Sequence, residues 1–150
     1  MITQKQADVL KILSDNINKT TNWTLMGSMS LALHGMAVSV KDIDILTNKK
    51  GVFEIEKALN RYVITTTKIK QYSDRKAYRV VLNIKGIEVE ALADIQENLQ
   101  EKSRLSAKQF VEFNKLKLPI VDLTRELNAY KNWGKPNKVK LIEEYLKRLD

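Results

Sequence analysis

Two acidic residues separated by a single residue, Asp42 and Asp44, follow a Gly27-Ser28 pair in an otherwise apolar stretch of the chain. Alternate side chains of a β-strand lie on one face, about 6.6 Å apart along the backbone, so the two carboxylates are expected to point the same way. Mg²⁺ or Mn²⁺ binds such oxygen ligands and keeps waters or phosphate oxygens in its remaining positions. The spacing therefore predicts a divalent-cation site, and two such ions about 3.5–4 Å apart would suit a phosphoryl-type transfer.

The Gly27-Ser28 pair has the composition of a phosphate-binding turn. Glycine lets a phosphate approach the backbone closely, serine supplies a hydroxyl, and the first N–H groups of a following helix favour an anion. The segment "SMSLALHG" predicts such a short helix, with Ser28 as its N-cap and Gly35 at its end. Phosphates are therefore expected to lie between Ser28 and the two aspartates.

A third acidic ligand is expected on a later strand. The segments "AYRVVLNI" and "IEVEAL", joined by a Lys-Gly turn, have the pattern of a β-hairpin. In the second arm Glu88 and Glu90 alternate with apolar residues and lie on one face. An exposed hairpin arm has the same alternation, so solvent exposure explains Glu88 and Glu90 as well as a metal site does. For Asp42 and Asp44 the solvated face of an edge strand is the less favoured alternative.

The elements that position these residues follow from hydrophobic periodicity and turn residues. We predict helices at 3–19, 28–35 and 52–62, strands at 23–26, 41–46, 63–69, 77–84 and 87–92, and a helical hairpin at 121–149. The region 93–118 has no clear pattern. This order predicts an α/β (α+β) fold, with a mixed β-sheet flanked by helices and a C-terminal helical hairpin. We expect one domain over residues 1–150, with a core at about 20–95 and a helical extension at about 120–150.

Composition narrows the classes of function. The 150 residues include 26 Lys and Arg against 18 Asp and Glu, and the resulting charge of +8 indicates anionic partners such as nucleic acid or nucleotide phosphates. Cysteine is absent and His34 is the single histidine, which excludes disulfides, thiolate zinc sites and multi-histidine clusters. His34 itself is expected to pack or to meet solvent. No apolar run approaches the ~20 residues of a membrane span, and no secretion signal is visible, so we expect a cytoplasmic protein without a membrane partner.

The stretch "GSMSLALHG…KDIDIL" resembles the signature of the DNA polymerase β-like nucleotidyltransferase superfamily, in particular its small prokaryotic stand-alone members. The order of elements agrees over residues 23–92. The resemblance implies the nucleotidyltransferase fold. It also implies transfer of a nucleoside monophosphate from an NTP such as ATP to an acceptor hydroxyl group, with Mg²⁺ or Mn²⁺ as the cofactor.

The resemblance assigns roles to individual residues. The third acid is implied to be Glu90, because "GIEVEAL" resembles a later strand of the family, and Glu88 is the alternative. Two departures stand out: Val38 and Val40 lie where small members carry an arginine and a hydroxyl residue, and the third acid is glutamate instead of aspartate. The implied site consists of Gly27 and Ser28 for the nucleotide, and of Asp42, Asp44 and Glu90 for the metal ions and for catalysis.

These departures leave a second class of function open. A catalytically degenerate domain of the same fold would bind nucleic acid through its basic surface or act as a toxin–antitoxin partner. For an active enzyme, the acceptor could be RNA, a protein or a small molecule, since acceptor pockets are built from variable loops. The sequence defines neither the preferred nucleobase nor the oligomeric state.

Overall fold

The computed structural model describes residues 1–73, 75–95 and 99–149, apart from the side chains of residues 99–101 and 103. Within this part the strands are β1 (Trp23–Met26), β2 (Ile43–Thr47), β3 (Val63–Gln71), β4 (Lys76–Ile84), β5 (Ile87–Asp94), β6 (Gln109–Phe113) and β7 (Leu116–Ile120). The helices are α1 (Gln4–Asn16), α2 (Gly27–Leu33), α3 (Lys49–Ala58), α4 (Leu99–Ser106), α5 (Leu123–Asn132) and α6 (Pro136–Leu149).

The strands form one seven-stranded sheet with the order β3-β4-β5-β2-β1-β7-β6. β2 is parallel to β5 and β1 is parallel to β7, whereas the other neighbouring pairs are antiparallel. The predicted mixed sheet flanked by helices is therefore confirmed. The predicted C-terminal helical hairpin is confirmed as well, since α5 and α6 pack together.

The two faces of the sheet differ in what they bury. On one face, Leu10 and Leu13 of α1 pack with Ile43 and Ile45 of β2 in the largest hydrophobic cluster. Leu46 belongs to a separate, smaller cluster with residues of β4, β5 and α4. Because side chains alternate along a strand, the acidic residue between the two isoleucines points to this second face. The predicted inward direction of the isoleucines is thus correct.

The C-terminal hairpin packs against α2. Leu127 and Tyr130 of α5 and Ile142 of α6 form a buried cluster with Leu31 of α2. Burial of these apolar side chains holds α5 and α6 beside the β1–α2 turn. The hairpin therefore supplies side chains to the region that the sequence predicts as the site.

The region 93–118, which had no readable pattern, contains α4, β6 and the start of β7, and its residues 96–98 lie outside the described part. β6 and β7 pair as an antiparallel hairpin. Its turn is made by Asn114 and Lys115, whose φ angles are 49° and 68°. Glycine is the usual residue for such angles, so the turn lacked the residue that commonly marks a hairpin in a sequence.

The predicted single domain over residues 1–150 remains a prediction. Among the described residues, buried apolar side chains form three clusters, around α1 and α3, around α2 with α5 and α6, and around α4. Over the residues that the structure describes, none of the helices is both long enough and apolar enough to span a membrane.

Candidate active site

The turn between β1 and α2 is made by Gly27, whose φ of 68° lies in the left-handed region. A Cβ at this position would lie 3.2 Å from Oδ2 of Asp44. Glycine is therefore favoured here by the backbone angle and also by the close approach of the acid. The N–H group of Gly27 donates a hydrogen bond of 2.9 Å to Oε2 of Glu126. This donor, at the start of the helix that the sequence assigned to phosphate binding, is already engaged within the protein.

Ser28 does not cap α2, which corrects the prediction. Met26 occupies the N-cap position with an extended backbone and no side-chain cap, because the helix begins at Gly27, one residue earlier than expected. The hydroxyl of Ser28 instead accepts a hydrogen bond from Nζ of Lys138 in α6, at 3.5 Å. The predicted end of the helix is correct, since Gly35 has a φ of 100° there.

Asp44 lies within β2, but the strand begins at Ile43, two residues later than predicted, so Asp42 lies in the bend before the strand and not on its face. The pairing of β1 with β2 places Asp44 opposite Met26, next to the glycine turn. Burial, and then the negative charges of Glu90 and Asp42, raise the pKa of the Asp44 carboxyl from 3.8 to about 6. A cation bound here would neutralise the negative charges of these neighbouring carboxylates.

Glu90 lies directly beside Asp44, because the parallel strands β5 and β2 pair in that register. Its Oε2 accepts a hydrogen bond of 2.6 Å from Nε of Arg79, in an ion pair that is largely buried. Glu88 is exposed and lies two residues earlier in β5. The structure thus brings Glu90, and not Glu88, next to the aspartate. Among the predicted site residues, Asp44 is therefore the direct neighbour of both Gly27 and Glu90. Ser28 follows Gly27 in the chain, and Asp42 lies two residues before Asp44.

These carboxylate oxygens suit a cation whose remaining coordination positions are filled by oxygens of the substrate. In the part of the chain that the structure describes, no group of three or more acidic or histidine side chains is arranged to hold a metal ion. Mg²⁺ is usually bound by one or two carboxylates together with phosphate oxygens and waters. Asp44 with a neighbouring acid supplies that number of ligands, so the residues fit a cation that binds together with a nucleotide.

A buried ion pair supports the glycine turn from behind. Nη1 of Arg104 in α4 lies 2.8 Å from Oε1 of Glu126 in α5, and the two side chains are 1% and 0% exposed. Since Glu126 also accepts the N–H group of Gly27, the pair ties α4, α5 and the turn together. The guanidinium of Arg104 lies 4.9 Å from the ring centre of Trp133. Sequence reasoning missed this pair, because its members are 22 residues apart and belong to no motif.

A cavity of about 350 Å³ opens beside Gly27, and we call it the cleft. The hydroxyl of Tyr72, one of its lining residues, is buried and has no hydrogen-bond partner among the described residues. Burial, followed by the charge of Glu90, raises the pKa of Tyr72. The cleft thus presents an unused hydroxyl group close to the acids. Its other charged and aromatic lining residues are Asp44, Arg75, Glu90, Arg104, Tyr130, Trp133, Lys135 and Lys138.

Two other depressions lack this combination of groups. A larger one of about 510 Å³ lies between α1 and the β6–β7 hairpin, and its described lining includes four lysines but no carboxylate. Another of about 270 Å³ lies at the opposite end of β2, where Asp94 is the acid. Neither contains the glycine turn or a pair of adjacent acids, so the cleft is the better candidate for an active site.

Several positions near the site have a structural role. Val38, one of the departures from the family pattern, is buried against α5 and α6, and Val40 packs on the main cluster. Nε2 of His34 donates a hydrogen bond of 2.7 Å to the carbonyl oxygen of Val121, so this histidine connects the end of α2 to the segment after β7. Two arginines also reach the site: Arg75 lines the cleft, and Arg79 of β4 pairs with Glu90.

Known proteins share this architecture. The family model described as aminoglycoside-2''-adenylyltransferase matches residues 8–145 of the chain. A protein from Thermotoga maritima, assigned as a nucleotidyltransferase, is 30% identical and has a TM-score of 0.80, with 99% of this chain and 96% of that chain covered. The structure of ANT(2'')-Ia with adenylyl-2''-tobramycin has a TM-score of 0.60 at 10% identity, with 96% of this chain and 90% of that chain covered, a likeness of fold alone. No curated protein sequence matches the chain.

Proposed function

The chain belongs to the aminoglycoside-2''-adenylyltransferase family and is a nucleotidyltransferase, and we propose that it transfers a nucleoside monophosphate from a nucleoside triphosphate to an acceptor hydroxyl group. One observation carries the proposal: Asp44 of β2 adjoins both the Gly27 turn that follows β1 and Glu90 of β5, on the two strands that flank β2. A turn without a side chain beside two acids leaves room for phosphates and supplies ligands for their counterions.

The triphosphate would bind at the β1–α2 turn. Gly27 has no side chain to obstruct a phosphate, although its N–H group is bonded to Glu126. The hydroxyl of Ser28 can donate to a phosphate oxygen while it accepts from Lys138. The ammonium group of Lys138 thereby lies at the turn and supplies positive charge for the phosphates. Arg104 stabilises this arrangement through its ion pair with Glu126, which holds the Gly27 N–H in place.

The acids would hold the divalent cation, Mg²⁺ or Mn²⁺. Asp42 and Asp44 are the proposed ligands from β2 and its preceding bend, and Glu90 is the proposed third acid from β5. The ion pair with Arg79 keeps the Glu90 carboxylate in a fixed position next to Asp44. When bound, a divalent cation neutralises phosphate charge and polarises the phosphoryl oxygens.

The transfer requires a base that accepts the proton of the acceptor hydroxyl group, and it releases pyrophosphate. The acceptor oxygen forms a bond to the α-phosphorus, the bond from that phosphorus to the bridging oxygen of the β-phosphate breaks, and pyrophosphate leaves. We propose Glu90 as the acceptor of the hydroxyl proton; its position beside Asp44 and its hydrogen bond from Arg79 support this role. The residues of the turn hold the triphosphate in line for this displacement.

A related structure supplies one candidate acceptor. ANT(2'')-Ia was crystallised with adenylyl-2''-tobramycin, so the hydroxyl group of an aminoglycoside is one acceptor class to be tested. The other classes expected from the sequence are RNA, a protein hydroxyl group and a different small molecule.

Calorimetric titration with ATP in the presence and absence of Mg²⁺ tests nucleotide binding. We expect Mg²⁺-dependent binding by the wild-type protein and a loss of at least about tenfold in affinity for the double variant Asp42→Asn, Asp44→Asn. The matched control is Asp15→Asn, an exposed aspartate of α1 whose partner is Lys11. Equal binding by the wild type and the double variant would refute the proposed site.

Transfer of label from α-labelled ATP to an acceptor tests the reaction itself. The alternative, a binding domain without catalysis, predicts nucleic-acid affinity that is independent of metal and unchanged in the double variant. Label transfer that is lost in the same variant supports the enzyme.

A further inference from the structure

The charges around the cleft restrict the kind of acceptor that it can take. Each described acid near the Gly27 turn is either paired with a basic residue or proposed as a ligand of the cation. Glu126 bonds to Arg104 and to the Gly27 N–H, and Glu90 bonds to Arg79. The remaining lining acid is Asp44, which is proposed as a cation ligand. Among the described lining residues, none is therefore left to pair with an ammonium group of an acceptor.

Lysines continue outward from the cleft. A second depression of about 300 Å³ lies at the turn between α5 and α6 and shares Lys135 with the cleft. Lys131 and Lys140 line it as well, and Glu143 is its single described acid. We call Lys131, Lys135 and Lys140 the lysine rim. All three are exposed, and none of them forms an ion pair with a residue in the described ranges.

The nucleotide does not account for the lysine rim. Lys138 lies at Ser28 and is the lysine that serves the triphosphate, while Arg104 is neutralised by Glu126. Of the lysine rim, Lys131 and Lys140 line the second depression and not the cleft, whereas Lys135 lines both. Its positive charge is consequently available to whatever enters next to the nucleotide.

Resting on the proposed function, we propose that the acceptor is the hydroxyl-bearing end of a single-stranded polynucleotide, whose backbone phosphates bind the lysine rim. A polycationic aminoglycoside would bring ammonium groups next to lysines and would find no free carboxylate in the described lining. A small phosphorylated acceptor would fill the cleft alone, whereas the rim extends the positive surface into a second depression. The phosphates of a polynucleotide chain can contact the cleft and the second depression at the same time.

The experiment compares two probes on the full-length protein with Mg²⁺ and α,β-methylene-ATP, a nucleotide that cannot transfer its α-phosphate. The first probe is a 5'-fluorescein-labelled single-stranded RNA of about 12 nucleotides with a free 3'-hydroxyl group, a length within the about 4–16 nucleotides of single-strand binding sites. The second probe is tobramycin, measured by calorimetry. We expect saturable RNA binding and no saturable tobramycin binding.

Salt dependence identifies the contacts. Three phosphate contacts give a slope of log affinity against log salt of about −2, and the double variant Lys131→Gln, Lys140→Gln should reduce it to about −0.7. Lys57→Gln, an exposed lysine of α3, is the matched control and should leave the slope unchanged. With ATP in place of the analogue, α-label should appear on the RNA and not on tobramycin.

The outcomes separate the two proposals. Absence of nucleotide binding in the same wild-type sample would overturn the proposed function and this inference together. If the nucleotide binds, three results would overturn the inference alone. These are saturable binding of tobramycin, no binding of RNA, and a salt dependence of RNA affinity that is the same in the wild type and in the Lys131→Gln, Lys140→Gln variant.

Discussion

The carboxylate of Asp44 is expected to destabilise the metal-free protein, so its replacement by asparagine should stabilise the fold while it abolishes transfer. Burial is the largest cause of the raised pKa of Asp44, and the negative charges of Glu90 and Asp42 raise it further. Asparagine has nearly the same shape and carries no charge. No hydrogen bond of the Asp44 side chain is lost in the exchange within the described part of the structure.

The size and sign of the effect follow from proton linkage. The folded-state pKa of Asp44 is about 6, against 3.8 for the ordinary carboxyl. The folded state therefore binds the proton more tightly, and the associated stability is complete below pH 3.8 and is lost as the pH rises through about 6. One unit corresponds to about 1.4 kcal/mol, so the ionised group costs roughly 2–3 kcal/mol above that pH.

Urea unfolding followed by tryptophan fluorescence measures this difference directly. In EDTA, Asp44→Asn should be more stable than the wild type by roughly 2–3 kcal/mol at pH 8, and the gap should narrow to below about 1 kcal/mol at pH 4.5. Asp15→Asn is the control, since its exposed pair with Lys11 should contribute no more than about 0.5 kcal/mol. A variant that is no more stable than wild type at pH 8, or a gap that does not change with pH, would refute the reasoning.

Three further substitutions test the frame of the site. Gly27→Ala should cost about 1–2 kcal/mol of stability and weaken nucleotide binding at least about tenfold, whereas Gly86→Ala, at a φ of 85° with nothing within 4 Å, should cost stability alone. Equal nucleotide affinities, measured by calorimetry, would contradict this. Glu126→Gln breaks a fully buried ion pair and should lower the free energy of unfolding by about 3–5 kcal/mol in urea titration; a loss below about 1 kcal/mol would show that the pair is dispensable. Arg79→Gln should slow single-turnover transfer about 10- to 100-fold with little change in nucleotide affinity, because it releases Glu90; a parallel loss of affinity would speak against a positioning role.

Local features of this protein could be predicted from the sequence. The β1–α2 turn, the β4–β5 hairpin and the two C-terminal helices follow from residues that are close together in the chain, such as Gly35 at the end of α2. The direction of the isoleucines beside Asp44 follows from the two-residue repeat of a strand. The resemblance to nucleotidyltransferases rests on the same short segments, and the family match agrees with it.

Contacts between distant segments were decided by the tertiary structure. That Glu90 and not Glu88 adjoins Asp44 depends on the register of β5 against β2, and a shift by one residue would turn the acid to the other face. Lys138 reaches Ser28 across 110 residues, because apolar packing of α6 on α2 brings it there. Register and helix docking are set by the summed burial of many side chains, and no short segment contains that information.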